Sequence, residues 1–333
     1  MRAWWVEQPG PVAGHPMRFG ERESPRPGPG ELLVRVRACG VCRTDLHLAE
    51  GDLPPKAPGT IPGHEVVGKV EDTGAGTTRF RVGDRVGIAW LRRTCGACRF
   101  CLRGAENLCL APEFTGWDAD GGYADRAVVA EDYAHALPDA FDDEHAAPLL
   151  CAGIIGFRAL RQSGVRPGER LGIYGFGASA HLAAQVARAQ GVSVHVFTRS
   201  ASARALALEL GVATAADPMA APAGSLDAAL LFAPVGTLVP VALAALDSGG
   251  TLAVAGIHLS AIPPLDYRRE LFGERVLRSV TANTREDATE FLALAGRLPL
   301  EVRTRPYRLE EADAALRDLA AGQVAGAAVL LTE

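Results

Sequence analysis

Cys95-x2-Cys98-x2-Cys101-x7-Cys109 places four thiols within 15 residues. Thiolates at that spacing suit one tetrahedral ion, because structural zinc is commonly held in a closed cage of four cysteines. All seven cysteines fall between residues 39 and 151. Their odd number, the clustered C-x-x-C pairs and an N-terminus (Met1-Arg2-Ala3-Trp4-Trp5-Val6-Glu7) without an extended apolar stretch point to reduced, metal-holding thiols rather than disulfides. The compartment expected on that basis is the cytoplasm. Cys42 and Cys151 stand outside the cluster, with Gly63-His64-Glu65 between them. Thiol, imidazole and carboxylate are the donors of a second, different metal site. Sequence spacing alone does not bring them together: a lone histidine is usually structural, and Cys151 beside Leu149-Leu150 reads equally as core.

A second chemistry lies in Gly175-Phe176-Gly177-Ala178-Ser179-Ala180. It follows a short apolar run and opens a helical pattern, the setting of the G-x-G-x-x-G/A dinucleotide fingerprint. Gly175 would permit the tight turn and Gly177 the close approach of a pyrophosphate. Ala180 would let the helix pack near the strand, with the helix N-terminus facing the phosphates. The usual acidic partner for the ribose is missing, since no Asp or Glu occurs from 176 to 208. The next strand ends Val196-Phe197-Thr198-Arg199-Ser200. A hydroxyl followed by arginine suits a 2′-phosphate, so NADP(H) is favoured over NAD(H). The alternative for Arg199 is a solvated loop position.

The elements that must position these residues fall into two kinds. A chain of 333 residues is long enough for two domains. A net charge of −5 gives no broad electrostatic basis for nucleic acid or anionic membrane. No apolar run reaches the roughly 18–20 residues of a membrane span. The first half is rich in glycine and proline and alternates over Leu32–Arg37, Glu65–Val70 and Tyr123–Val129, which predicts a mostly antiparallel, barrel-like domain. From residue 152 strands alternate with helices: Leu171–Tyr174, Ala180–Gln190, Val192–Phe197, Ala201–Leu210, Leu226–Phe232, Leu238–Leu246 and Thr251–Ala255. That alternation predicts βαβ units on a parallel sheet. The tail predicts a helix (Glu286–Ala295), a strand (Glu301–Tyr307), a helix (Glu310–Ala321) and a closing strand (Ala327–Leu331), able to extend either domain.

Five motifs in order carry a resemblance: Cys39-Gly-Val-Cys42-Arg43-Thr44-Asp45-Leu46-His47, Gly63-His64-Glu65-x2-Gly68, the four-cysteine lobe, Pro148-Leu-Leu-Cys151-Ala-Gly153 and the glycine turn. The chain resembles, over essentially its whole length, the zinc-dependent alcohol dehydrogenases of the medium-chain dehydrogenase/reductase family. Gly175 to His181 looks especially like the bacterial propanol-preferring branch.

The resemblance implies an α/β protein with two domains. One is a GroES-like, mostly-β barrel catalytic domain over 1–151 and 283–333, with a structural zinc lobe at about 92–112; the other is a Rossmann-type domain over 152–282. It implies two zinc ions per chain: a catalytic one on Cys42, His64 and Cys151, and a structural one on Cys95, Cys98, Cys101 and Cys109. Glu65 would stand behind the catalytic metal, and Asp45 would accept the ring N–H of His64. Thr44 would take the substrate hydroxyl proton and pass it by the cofactor ribose to His47 and solvent. Arg43 would contact the pyrophosphate. Gly175, Gly177, Ala178, Ser179, Thr198, Arg199 and Ile257 would line the cofactor site, with His258 also near the nicotinamide. Trp90 and Trp117 would wall a small apolar pocket, or else serve as barrel core. The implied reaction interconverts small primary alcohols and aldehydes, in a homodimer or homotetramer joined through the nucleotide domains. Alternatives are a relative acting on a polyol or an aromatic or cinnamyl alcohol, and a zinc–thiol sensor without catalysis. Two departures stand out. Ile154-Ile155-Gly156 replaces a threonine-bearing stretch near the nicotinamide, and Cys39 is an extra thiol expected to be a buried small residue.

Overall fold

The computed structural model describes residues 1–332 and divides the chain into two compact units. The first contains Met1–Cys151, Ala282–Arg297 and the chain from residue 302 onward; the second contains Ala152–Thr281 and Leu298–Glu301. Most of the tail therefore joins the first unit.

The first unit is built on a seven-stranded sheet. Its path runs Thr304–Arg308, Ala327–Leu331, Glu31–Val41, Val66–Thr73, Arg85–Ile88, Ala134–Ala136, and Arg126–Ala130 also pairs with Glu31–Val41. All pairs are antiparallel except the first, which is parallel. Glu31–Val41 is the hub. Its rows of Leu, Val and Ala suit a pleated, largely buried surface. Two register shifts, between Leu33 and Val34 and between Val36 and Ala38, bend it against Val66–Thr73. The closing strand of the tail lies along its far end, Val329 opposite Gly40 and Leu330 opposite Cys39. The last strand of the chain thus braces the segment that delivers Cys42.

The second unit is a six-stranded, wholly parallel sheet ordered Thr214–Ala216, Ser193–Phe197, Arg170–Tyr174, Leu226–Leu231, Leu246–Val254, Val276–Ser279. Numbered by chain position within the unit, that order is 3-2-1-4-5-6, the doubly wound dinucleotide arrangement. The strands expected from sequence are present, with two boundary differences of physical interest. The strand expected at Thr251–Ala255 begins at Leu246, because Leu246 pairs with Leu226 ahead of a register shift. The tail strand expected from Glu301 begins at Thr304. Glu301 is instead held by the Gln185 amide, which accepts from its N–H (2.8 Å) and donates to its carbonyl (3.0 Å).

Gly68 shows how backbone packing shapes the first sheet. A Cβ there would collide with the carbonyl oxygen of Arg35 and with Val34 Cγ1. Glycine lets the strands cross closely between the two irregularities. Gly68→Ala is expected to destabilise the first unit by about 1–3 kcal/mol through overpacking, read as a lower denaturant midpoint in near-ultraviolet circular dichroism.

Candidate active site

The helix Arg43–Glu50 begins at Cys42, which is extended (φ −111°, ψ 162°) and caps it. Asp45, at the third helical position, accepts from the Cys42 N–H at 2.8 Å, the reciprocal half of a capping box. The same buried carboxylate accepts from the Gly63 N–H at 3.0 Å and from the Tyr123 hydroxyl at 3.2 Å. His64 Nδ1 lies 3.4 Å from Asp45 Oδ1. That separation exceeds the usual hydrogen-bond range. The ring N–H contact expected for Asp45 is therefore a longer ion-pair approach, and its close bonds go to the backbone beside both ligand residues. Sequence reading missed Tyr123; the only signal was its place after Gly121-Gly122.

Gly63 has φ +100°, and a Cβ there would fall 2.5 Å from Tyr123 Cδ1 and 2.8 Å from Cys39 Sγ. Only glycine turns the chain there and admits the Tyr123 ring. Cys39 is buried and fills that space, as expected for the extra thiol. Glu65 folds over Gly40, where any Cβ would collide with its carboxylate. Cys151 follows the short 3-10 turn Ala147–Leu150, whose Leu149 and Leu150 are fully buried and anchor it. From these distant segments Cys42, His64, Glu65 and Cys151 each present one donor atom, all within 4.8 Å of one another.

The protonation pattern of this group fits a cation. A hydrogen bond from Cys151 holds the Cys42 thiol well below its ordinary range, and the same bond, with burial, pushes Cys151 well above it. Burial likewise drives the Glu65 carboxyl upward. Two thiols and a carboxyl crowded around one point are donors that a divalent ion would hold together.

Next to His64 stands an aromatic wall. Trp90 meets the imidazole edge-on at 4.9 Å and stacks on Phe114 at 4.8 Å; Trp117 lies parallel to both, at 6.1 Å from Trp90 and 5.8 Å from Phe114. The structure thus gathers the two expected tryptophans and adds Phe114. Trp117 donates to the Pro54 carbonyl at 2.9 Å, and Lys56 Nζ sits 4.6 Å over its ring.

Thr44 and His47 occupy successive turns of the capped helix. Thr44 Oγ1 is 3.7 Å from Cys42 Sγ, and Arg43 is exposed at the first helical position.

The other cysteine group lies in the exposed lobe. Its four sulfurs are within 4.8 Å of one another, with Cys95–Cys101 at 4.0 Å and Cys98–Cys101 at 3.6 Å. Tetrahedral zinc with bonds near 2.3 Å requires sulfurs about 3.8 Å apart, so these separations bracket the needed value. Backbone N–H groups point at the sulfurs: Cys98 to Cys95, Cys95 to Cys109 and Ala111 to Cys109, at 3.3, 3.3 and 3.4 Å. The backbone N–H groups of Cys101 and Leu110 pull the Cys98 thiol down to about 6. Arg285 clamps the lobe through paired bonds to Glu106, while stacking 4.7 Å from the Tyr133 ring centre. Tyr133 in turn binds Thr94, beside Cys95.

In the second unit Gly175 takes φ +86° and its N–H donates to Phe197. Gly177 caps the helix Ala178–Ala189, and a Cβ there would meet nothing within 4 Å, which leaves an open backbone face. Ala180 is fully buried, while Ala178 and Ser179 are half-buried in the first turn. At the next strand end Thr198 is buried and Arg199 exposed. Arg204, unmarked in the sequence reading, donates to the carbonyls of Thr198 (2.7 Å) and Arg199 (3.0 Å) and shapes that loop. Ile257, after the strand Leu246–Val254, is 57 % exposed. Gly156 allows close helix packing, since a Cβ would lie 2.9 Å from the Ser179 carbonyl.

The chain is similar to known proteins over nearly its whole length. Residues 28–139 match the alcohol dehydrogenase GroES-like domain, and residues 180–297 match the zinc-binding dehydrogenase family. A probable alcohol dehydrogenase AdhA of Mycobacterium tuberculosis is 57 % identical, covering 99 % of this chain and 97 % of that protein. The chain belongs to the zinc-dependent alcohol dehydrogenases. Within that family of medium-chain oxidoreductases, a sorghum cinnamyl alcohol dehydrogenase superposes with a TM-score of 0.91 at 28 % identity, covering 99 % of this chain and 96 % of the other. The CAD from Helicobacter pylori, complexed with NADP(H), gives 0.89 at 25 % identity over 99 % and 97 % of the two chains.

Asp45→Ala would strip three buried donors of their acceptor. A loss of about 3 kcal/mol or more is expected from the unpaired groups, measured by urea unfolding. Asp45→Asn, which keeps one acceptor oxygen, should lose less.

Proposed function

We propose that this enzyme interconverts small primary alcohols and aldehydes with NADP(H), using one catalytic and one structural zinc per chain. The observation that carries the reading is the convergence of Cys42, His64, Glu65 and Cys151 from distant segments beside the Trp90 ring. Cys42, His64 and Cys151 would hold the zinc, which would supply Lewis-acid polarisation of the substrate oxygen, and a bound nicotinamide cofactor would supply the hydride acceptor or donor. Two thiolates balance a divalent charge, so a neutral substrate suits the pocket. Glu65 backs the site as a carboxylate that is close enough to act as a ligand.

The remaining work falls to this chain's own side chains. Thr44 Oγ1 stands next to Cys42 and receives the hydroxyl proton of the alcohol. His47, one turn further along the same helix, passes that proton to solvent. Arg43 leads into the helix as an exposed cation suited to a pyrophosphate. Trp90 and Trp117 exclude water and limit the size of the substrate. Gly177 leaves room for the phosphates at the start of Ala178–Ala189, with Ser179 in the first turn; Thr198 and Arg199 read the 2′-phosphate; Ile257 supports the nicotinamide. Cytoplasmic location and a homodimer or homotetramer complete the reading. Among the described residues no helix is long and apolar enough to cross a membrane.

A second reading, oxidation of aromatic or cinnamyl alcohols, draws on the three parallel rings of the wall and on the likeness to the sorghum enzyme. Initial rates across primary aliphatic, secondary and aromatic alcohols separate the two. Higher kcat/KM for short primary alcohols supports the first reading, and a preference for aryl substrates supports the second.

Elemental analysis should give roughly two zinc ions per chain. Cys42→Ser should retain the lobe ion and the fold but lose turnover, whereas Cys98→Ser should lose the lobe ion. Global unfolding of Cys42→Ser would contradict the assignment. Arg199→Asp should raise KM for NADPH by about tenfold or more, the size of one lost charged contact, with a smaller effect on NADH. Unchanged selectivity would remove Arg199 from the 2′ position.

A further inference from the structure

The aromatic wall that begins at His64 ends on a cation. Its rings, Trp90, Phe114 and Trp117, are each half-buried, so part of their apolar surface stays open. Trp90 meets the His64 imidazole at 4.9 Å, and Trp117 follows 6.1 Å further on. Lys56 Nζ then stands 4.6 Å over the Trp117 ring. All of these residues belong to the first unit. A row of rings running from the metal-donor group to an ammonium is a surface with two chemically different ends.

The chain holds that ammonium in place without neutralising it. Trp117 Nε1 donates to the Pro54 carbonyl at 2.9 Å, and the Thr60 hydroxyl donates to the Ala57 carbonyl at 2.8 Å. Lys56 is thus bracketed by two tied carbonyls, and Pro54 and Pro55 ahead of it have their φ angles fixed by their own rings. The lysine is exposed, and among the described residues no carboxylate forms an ion pair with it. Asp118 and Asp120, the acids of the turn after Phe114, accept instead from the Phe114 N–H (2.9 Å) and the Ile61 N–H (3.0 Å). Of the 34 lysines and arginines in the chain only Lys56 and Lys69 are lysines. An arginine here would lie flat on the indole, whereas an ammonium remains a point charge with donors to spare.

We propose that Lys56 is a specificity-determining residue that binds a carboxylate at the far end of the substrate, so that the favoured class is ω-hydroxy carboxylates and, in the reverse direction, the matching ω-oxo acids. The inference rests on the reading of the enzyme as acting on primary alcohols and aldehydes. The reacting end stays a neutral hydroxyl, which suits a metal site balanced by two thiolates. The methylene chain lies along the rings, and the anion meets the ammonium. A carboxylate brought onto a half-buried apolar surface needs an ionic partner, and a charge-assisted bond supplies it. A plain alcohol of the same length gains only the apolar contact.

The ordinary reading of Lys56 is a cation–π pair that fastens the 54–60 segment to Trp117. It predicts a change in stability when Lys56 is replaced, and no change in which substrate is preferred.

The test compares 6-hydroxyhexanoate with 1-hexanol in zinc-loaded enzyme supplied with the oxidised cofactor. Wild-type enzyme should give the higher kcat/KM with 6-hydroxyhexanoate, and the advantage should shrink as salt is added, because the ammonium is exposed. Lys56→Met keeps a long apolar stem over Trp117 and removes the charge. It should cut the ratio of the two kcat/KM values by about tenfold, the size of one charged contact, mainly through KM for the hydroxy acid. Lys56→Arg should keep most of the preference. Binding is followed separately by titrating tryptophan emission with 6-hydroxyhexanoate, the signal being assigned by its loss in Trp117→Phe, and Lys56→Met should weaken it by a similar factor. A wild-type preference for 1-hexanol, or a ratio and a binding curve unmoved in Lys56→Met, would overturn the proposal. Absence of turnover with both substrates would instead remove the alcohol reading, and the emission titration would still decide whether Lys56 holds the carboxylate.

Discussion

A carboxylate can be buried in a protein only if donors surround it, and Asp45 meets that condition with the Cys42 N–H, the Gly63 N–H and the Tyr123 hydroxyl. Those three bonds join three separate segments. They fix the start of the helix that carries Thr44 and His47, the turn that aims His64, and the ring that fills the space beside Cys39. Leaving any of these donors unpaired in the interior would cost more than an ordinary hydrogen bond contributes. The constraint accordingly sets where Cys42 and His64 sit before any ion arrives.

The sheet exists to hold that arrangement rigidly. Glu31–Val41 is bent by two irregularities, crossed closely at Gly68, and flanked at its far end by the last strand of the chain. Each feature shortens the freedom of the segment that ends in Cys42. The lobe is organised differently. Its sulfurs are gathered by local backbone N–H groups within one loop, then fastened from outside by Arg285 and Tyr133. One group is positioned by the core, the other by a loop that needs external clamping.

Much of this was legible in the residues. The two βα patterns around Gly175 and the closing strand Ala327–Leu331 follow from local alternation, and they occur within a residue or two of their expected bounds. The lobe was legible because its four ligands are close in sequence. The start of the strand at Leu246 was not, because it depends on pairing with Leu226 and not on local apolarity. The same holds for Glu301, held by a glutamine more than a hundred residues away. Asp45 was visible as a partner for a metal ligand, but its three donors come from elements with no sequence relation to it.

The sequence by itself determined the alternation of elements, the glycine turn and the four-thiol loop, because each rests on contacts among near neighbours. Only the tertiary structure decided that Cys42, His64, Glu65 and Cys151 meet, and that Trp90, Phe114 and Trp117 form one wall beside them. Convergence of distant donors is set by strand register and by close approaches that glycine admits, of the Glu65 side chain at Gly40, the Tyr123 ring at Gly63 and the Arg35 carbonyl at Gly68. Those are properties of packed surfaces, and no periodicity along the chain encodes them.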